Sequence, residues 1–525
     1  VQLKKTITRL ISLMFVCAIV FWGGLSSAAY AQHHGGGSVQ AGVGPGQLLT
    51  IRGKASLARF EGDELDFTLE LDRIGRYRLS VSGSRSIITV NDGATVWRKE
   101  DGANTVRLEF LERETYAVLI ALINGQSRLR EGDEMYKAVV DSPKGKAIRL
   151  ADGIVTFVIA AHPQYSFMAV GARAINTPSD VAIMFSEIGV IGGVGLPAVI
   201  SIEGTGEIST LKIESAEIDQ IENENPFKKP ESQQADYSFD KTKSSRLEVR
   251  RTPSGHLLIH PLFDGLDLGW FVFDTGATTN VVTETVIEKL ALEEIGKSVI
   301  GGMGGHQGGA RIYGGANMQL GPLTIRNLRL KTSKGSDFSF FGENVSGVIG
   351  YDVLARAVVE MDLGPALSIS LFDKARFDFP EENAGKLTLH WKVPYIEAFF
   401  EKGRSSYFLL DTGVGGAGVV FWKYAVDKLG LLAGKNGLQA EKTVGAGGMA
   451  VGFVKGSLNW FEIAGIKTAP APASFSVGND HESDLYSAGV FGYSMFKGYK
   501  VLMDYASGRI AFIKKPTNPA ESLPK

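Results

Sequence analysis

Two stretches of this 525-residue chain follow one plan, and that repeat limits the fold more than any other feature. Phe271-Val272-Phe273-Asp274-Thr275-Gly276 has its counterpart in Phe408-Leu409-Leu410-Asp411-Thr412-Gly413. An apolar pair follows each, Val281-Val282 and Val419-Val420. A helical pattern comes next, closing at Glu288-Lys289-Leu290 and at Asp427-Lys428-Leu429. Glycine-rich stretches come after it, Gly301-Gly302-Met303-Gly304-Gly305 and Gly445-Ala446-Gly447-Gly448-Met449. Then Gly347-Val348-Ile349-Gly350-Tyr351 matches Gly489-Val490-Phe491-Gly492-Tyr493. From there to Asp362 and Asp504 the spacing is the same, 362 − 350 = 12 and 504 − 492 = 12. A unit of about 120–130 residues has the size of a small domain. The second half is therefore expected to fold as two similar β-rich lobes, 246–380 and 381–515, with a tail at 516–525.

Each copy places a carboxylate directly after an apolar strand and before Thr-Gly. The strand buries its side chains and brings the Asp to the floor of a cleft. The glycine lets the chain turn sharply and brings backbone N–H groups to the carboxylate. A single Asp-Thr-Gly has a plain reading, a turn after a strand. Two copies at the same place in a repeat have a chemical one, because lobes related by a pseudo-twofold axis bring Asp274 and Asp411 face to face. Carboxyls in contact cannot both ionise and so share one proton. The ionised member can then take a proton from water as general base, and the protonated one can hydrogen-bond a scissile carbonyl as general acid.

On these residues the second half, Arg246–Lys515, resembles a retropepsin-like aspartic protease with two lobes fused in one chain; such proteases are the familiar case of a shared carboxyl proton. The resemblance implies that Asp274 and Asp411 are the catalytic pair. It also implies that Thr275, Gly276 and Ala277, with Thr412 and Gly413, support the two loops, the threonines locking them by reciprocal hydrogen bonds. Val348-Ile349-Gly350 and Val490-Phe491-Gly492 resemble the family's apolar-apolar-Gly elements, which pack across the active-site loop. The glycine-rich stretches stand where flaps belong, so two flaps are expected, with Met303, Gly304, Gly305, Gly447, Gly448 and Met449 as their candidates. The second loop departs from the pattern at Val414, which Gly415-Gly416 follow. That departure keeps open an alternative, a non-catalytic periplasmic binding protein using the cleft or an N-terminal cavity for an apolar or lipid ligand.

The first half reads differently. Lys4, Lys5 and Arg9, the apolar run Leu10 to Trp22 and Ala29-Tyr30-Ala31 make a signal-peptide pattern over 1–31, with cleavage expected between Ala31 and Gln32. The expected mature protein is exported, periplasmic or secreted, without a stable membrane span. Residues 32–46 form a Gly-rich leader. From 47 to 221 short runs alternate with period two, as in Phe67, Leu69 and Leu71 against Thr68, Glu70 and Asp72, and a helical stretch spans about Glu109–Asn124. This β-rich α+β half-barrel is similar, through Ile87–Arg98, Leu196-Pro197 and Phe227-Lys228-Lys229-Pro230, to domains of the outer-membrane lipoprotein carrier (LolA-like) type. That similarity implies a lipid or acyl ligand; a scaffold or substrate-positioning domain fits the residues equally. Residues 222–245, polar with Pro226 and Pro230, read as an exposed linker and a plausible site of self-processing.

The expected fold class is thus mostly β: duplicated retropepsin-like acid-protease lobes of the closed β-barrel type, with two flaps, after a half-barrel domain. The expected activity is aspartic endopeptidase acting on a peptide or protein substrate. Water is the nucleophile, and no metal or cofactor is called for. A net charge of −2 supplies no basic field for nucleic acid. The lone cysteine, Cys17, rules out disulfides and cysteine-based metal sites. Both lobes lie in one chain, so a monomer suffices to complete the site.

Overall fold

The computed structural model describes residues 43–57, 64–124, 138–142, 145–149, 157–161, 169–174, 181–203, 208–221, 225–231, 235–301, 307–335, 338, 341, 344–381, 384–444, 450–478 and 487–515. The expected signal peptide and most of the leader lie outside them, as do Met303, Gly304, Gly305, Gly447, Gly448 and Met449. The protein is mostly β. Among the described residues no helix is long and apolar enough to cross a membrane.

Thirteen antiparallel strands of the first half form one curled ladder. It runs from Val106–Leu108 through Val96–Glu100, Ile87–Asn91, Tyr77–Ser82 and Glu64–Asp72 to Gln47–Leu57. Gln47–Leu57 also pairs with Ile208–Gln220, and the ladder continues through Val194–Glu203, Ala182–Ile191, Ala169–Ala174, Phe157–Ala161 and Gly145–Arg149 to Ala138–Ser142. The period-two pattern explains the one-sided core: Leu65, Phe67, Leu69 and Leu71 are buried, while Glu64 and Asp66 are exposed. Helix Phe110–Asn124 shares that core. Tyr116 and the run Val118 to Ile123 are buried nearly all round, as a helix cupped by a curved sheet must be.

The stretch expected to be an exposed linker is largely exposed among its described residues and is anchored at a few of them. Phe227 is fully buried, and Thr105 donates its hydroxyl to the Pro230 carbonyl at 2.7 Å. Tyr237–Phe239 pairs with Leu323–Ile325, and Asp236 accepts from Arg356 Nε at 2.8 Å. Its polar composition hid a few anchoring apolar and charged side chains, which hold it against both neighbours.

The lobes repeat one pairing scheme. Phe271–Phe273 lies parallel to Gly347–Ile349, which is antiparallel to Val281–Thr283. Arg404–Leu410 likewise lies parallel to Ser487–Phe491, which is antiparallel to Val419–Phe421. Phe271, Val272 and Phe273 are all buried because strands flank them on both sides, which is why the run is continuously apolar. Helices Glu284–Leu290 and Lys423–Leu429 occupy matching positions. The lobes are joined by a five-stranded sheet in which Val358–Asp362 of the first pairs with Tyr499–Asp504 of the second. The first half is tied to the second lobe by a bridge between Leu108 and Leu389, by Lys386 with Glu109 at 3.1 Å, and by Phe110 edge-on to Tyr407 and His390.

Candidate active site

The site is built where two strands end. Asp274 N–H donates to Ile349 O at 2.9 Å, and Asp411 N–H to Phe491 O at 3.2 Å. Each apolar-apolar-Gly element therefore anchors the residue that carries the carboxylate. The chain then turns so that Gly276 N–H donates to Asp274 Oδ1 at 2.7 Å and Gly413 N–H to Asp411 Oδ1 at 2.6 Å. Beyond each turn the apolar-apolar-Gly element closes over the loop: Tyr351 N–H reaches Ala277 O at 3.0 Å, and Gly492 N–H reaches Gly418 O at 3.1 Å.

The threonines join the two loops. Thr275 N–H donates to Thr412 Oγ1 and Thr412 N–H to Thr275 Oγ1, both at 3.0 Å. Each hydroxyl then donates onward across the pseudo-twofold axis, Thr275 to Leu410 O at 2.7 Å and Thr412 to Phe273 O at 2.8 Å. Both threonines are fully buried, so these four bonds replace water entirely.

The carboxyls meet above this lock. A Cβ on Gly276 would lie 2.7 Å from the Asp411 carboxyl, and one on Gly413 would lie 2.6 Å from that of Asp274. No side chain fits at either position, and each carboxylate lies against the opposite loop. The two carboxyls face each other across the axis, and carboxyls so placed share one proton. Burial raises the pKa of Asp274 above the ordinary carboxylate value, while the bonds from Asp411 and from the Gly276 N–H pull the other way. Tyr505, fully buried near both aspartates and Tyr351, has its phenol pushed up by burial first and by those groups second.

The hairpins that would carry the flaps are present in both lobes. Glu294–Gly301 pairs with Gln307–Leu320, ending at Gly301 opposite Gln307. Gln439–Val444 pairs with Ala450–Leu458, ending at Val444 opposite Ala450. The candidate tip residues fall between these strands, outside the described residues.

Three contributors were missed in the sequence. Asn280, fully buried, accepts from the Gly350 N–H at 3.1 Å. Asp352 Oδ2 accepts from the Asn280 N–H, also at 3.1 Å. His256 reaches from the first lobe to the Gly413 carbonyl at 3.0 Å. Asn280 and Asp352 stand beside landmarks of the repeat, directly before the apolar pair and directly after Gly350-Tyr351, whereas His256 lies outside those landmarks. A cavity of about 300 Å³ also lies beside the first loop, where Thr278, Thr279 and Ser298 face Arg98, Glu100 and Glu112 of the half-barrel.

Fold and site together define an aspartic protease-like architecture. Residues 262–353, which span the first Asp-Thr-Gly and its apolar-apolar-Gly element, match the family described as Aspartyl protease. Two solved structures are similar to part of the chain. Basic 7S globulin from soybean is 10% identical with a TM-score of 0.31, covering 53% of this chain and 96% of its own. An aspartic proteinase from Irpex lacteus is 10% identical with a TM-score of 0.33, covering 53% of this chain and 100% of its own. No curated protein matches the chain by sequence.

Proposed function

We propose that this protein is an aspartic endopeptidase in which Asp274 and Asp411 act as one unit on a peptide or protein substrate. The observation that carries the reading is the interlocked pair of loops, with each carboxyl packed on the glycine of the opposite lobe. One shared proton gives the pair an acid and a base at once. The ionised carboxylate takes a proton from water as the water oxygen attacks the peptide carbonyl carbon. The protonated carboxyl donates to the carbonyl oxygen, and proton return to the amide nitrogen releases the amine. The buried threonine lock keeps the two groups in register without reorganisation during the step. Export, with cleavage of the signal peptide between Ala31 and Gln32, is part of the same proposal.

The test is a mixed peptide library incubated with the protein across pH 3–8, with Asp274→Asn and Asp411→Asn alongside and products read by mass spectrometry. Cleavage by the wild type and by neither variant supports the reading. Silence at every pH from a folded wild type, or cleavage that survives either substitution, overturns it.

A further inference from the structure

His256 belongs to the first lobe but touches the second. It sits at the end of the turn between strands Val249–Arg251 and Leu257–Ile259, and its side chain is buried. Its Nε2 lies 3.0 Å from the Gly413 carbonyl oxygen, which can only accept, so Nε2 carries the proton of that bond. Its Nδ1 lies 2.8 Å from the Ser254 hydroxyl, and Phe341 packs edge-on against the ring with centroids 4.7 Å apart. The turn itself is tied by the His256 N–H to Thr252 Oγ1 at 3.0 Å and by the Thr252 N–H to His256 O at 2.9 Å.

Gly413 is consequently held at both of its polar atoms, by Asp411 at its N–H and by His256 at its carbonyl. The chain beyond it needs that restraint. From Asp411 to the apolar pair takes 419 − 411 = 8 residues, against 281 − 274 = 7 in the first lobe, and the extra length is glycine-rich. Gly415 adopts φ +60 and ψ −138, a conformation open to glycine, and a Cβ there would lie 2.7 Å from Ser254 O. The longer loop is thus seated on the 254–256 turn. The contact is one-sided. Leu258 faces Val272 and Tyr395 faces Leu409, so the position matching His256 is Val393, which has no such donor.

Building on the aspartic protease reading, we infer that His256 is a positioning residue for the second catalytic loop, fixing the Gly413 peptide and through it the Asp411 carboxylate. Steady-state kinetics on a peptide cleaved by the wild type test this, with His256→Leu, His256→Gln and Ser254→Ala compared and Asp411→Asn as the inactive control. His256→Leu should lower kcat about 10²-fold, as a carboxylate displaced by about 1 Å would, with KM within about twofold of wild type. His256→Gln, which keeps a donor for the Gly413 carbonyl, should recover most of that loss. Ser254→Ala, at a solvent-facing position, should cost several-fold in kcat and decides the matter if the leucine variant does not fold. Wild-type kcat in both His256→Leu and Ser254→Ala, with Asp411→Asn inactive, overturns the positioning role and leaves the protease reading intact. A loss confined to KM, or a glutamine variant as slow as the leucine one, overturns it too. A wild type that cleaves nothing overturns the underlying reading and the positioning role together.

Discussion

In the first lobe the Gly350 N–H ends on the side chain of Asn280, whereas in the second the corresponding Gly492 N–H ends on the backbone carbonyl of Gly418. Both bonds are 3.1 Å long and brace the loop that follows the catalytic-type aspartate. The first loop is stiffened from within its own lobe, by Asn280 and by Asp352 behind it. The second is longer, richer in glycine, and braced across the interface by His256. At the centre the lobes agree: Thr-Gly, the reciprocal hydroxyl bonds and the facing carboxyls are the same on both sides. The difference teaches that only the groups at the axis must match, because only there does each lobe serve as the other's wall.

The sharpest way to break that central symmetry is to fill it. Gly276→Ala and Gly413→Ala each put a methyl where the opposite carboxyl lies, and each should lower kcat by about 10²-fold or more in a peptide assay. Equal losses support equivalent lobes at the axis; a silent alanine on one side contradicts them.

Removing a hydroxyl from the lock is the next largest effect. Thr275→Val strands the Thr412 N–H and the Leu410 carbonyl, and Thr412→Val strands the Thr275 N–H and the Phe273 carbonyl. Two buried groups left unpaired predict a loss of about 2–4 kcal/mol in each, measured by denaturant unfolding. The double variant should depart from the sum of the two, because both residues belong to one hydrogen-bond network.

Outside the axis the lobes should diverge. Asn280→Ala leaves the buried Gly350 N–H without its acceptor and should cost about 1–3 kcal/mol. The second lobe uses a backbone acceptor at the matching place and offers no side chain to delete. An unchanged stability in Asn280→Ala would show that the side-chain brace is idle.

The smallest effect is a pH dependence. Asp274 has a higher pKa folded than unfolded, so the folded state holds its proton more tightly. Its contribution to stability is therefore best at low pH and declines as pH rises above the ordinary carboxylate value near 4. Asp274→Asn removes that titration. Its melting temperature should exceed wild type by about 1–3 °C at pH 7, with the gap closing by pH 3. A gap that widens in acid would reverse the sign and the assignment.

How much of this was legible in the chain depended on whether a residue's role is local. Asp274, Asp411 and the Thr-Gly pairs announce themselves because strand, turn and carboxylate are adjacent in sequence and occur twice. The half-barrel's alternation was readable for the same reason, since period two alone decides which face is buried. His256 was not readable: it works on Gly413, 157 residues away, and nothing near it marks that partner. The anchoring of Phe227 and Asp236 was hidden because each stands alone in a polar segment, and a composition average dilutes them. The cavity between the half-barrel and the first loop depends on how two distant units meet, which no local pattern encodes.

The central claim is that two lobes make one site from two carboxyls. The most direct test is a double-mutant cycle on kcat/KM with Asp274→Asn, Asp411→Asn and the double variant, each confirmed folded. If the carboxyls act as a unit, either single substitution lowers kcat/KM by about 10³-fold or more and the double variant loses no more than the worse single. Losses that multiply, or a single variant keeping about half of the wild-type rate, would mean two independent groups and would contradict the account.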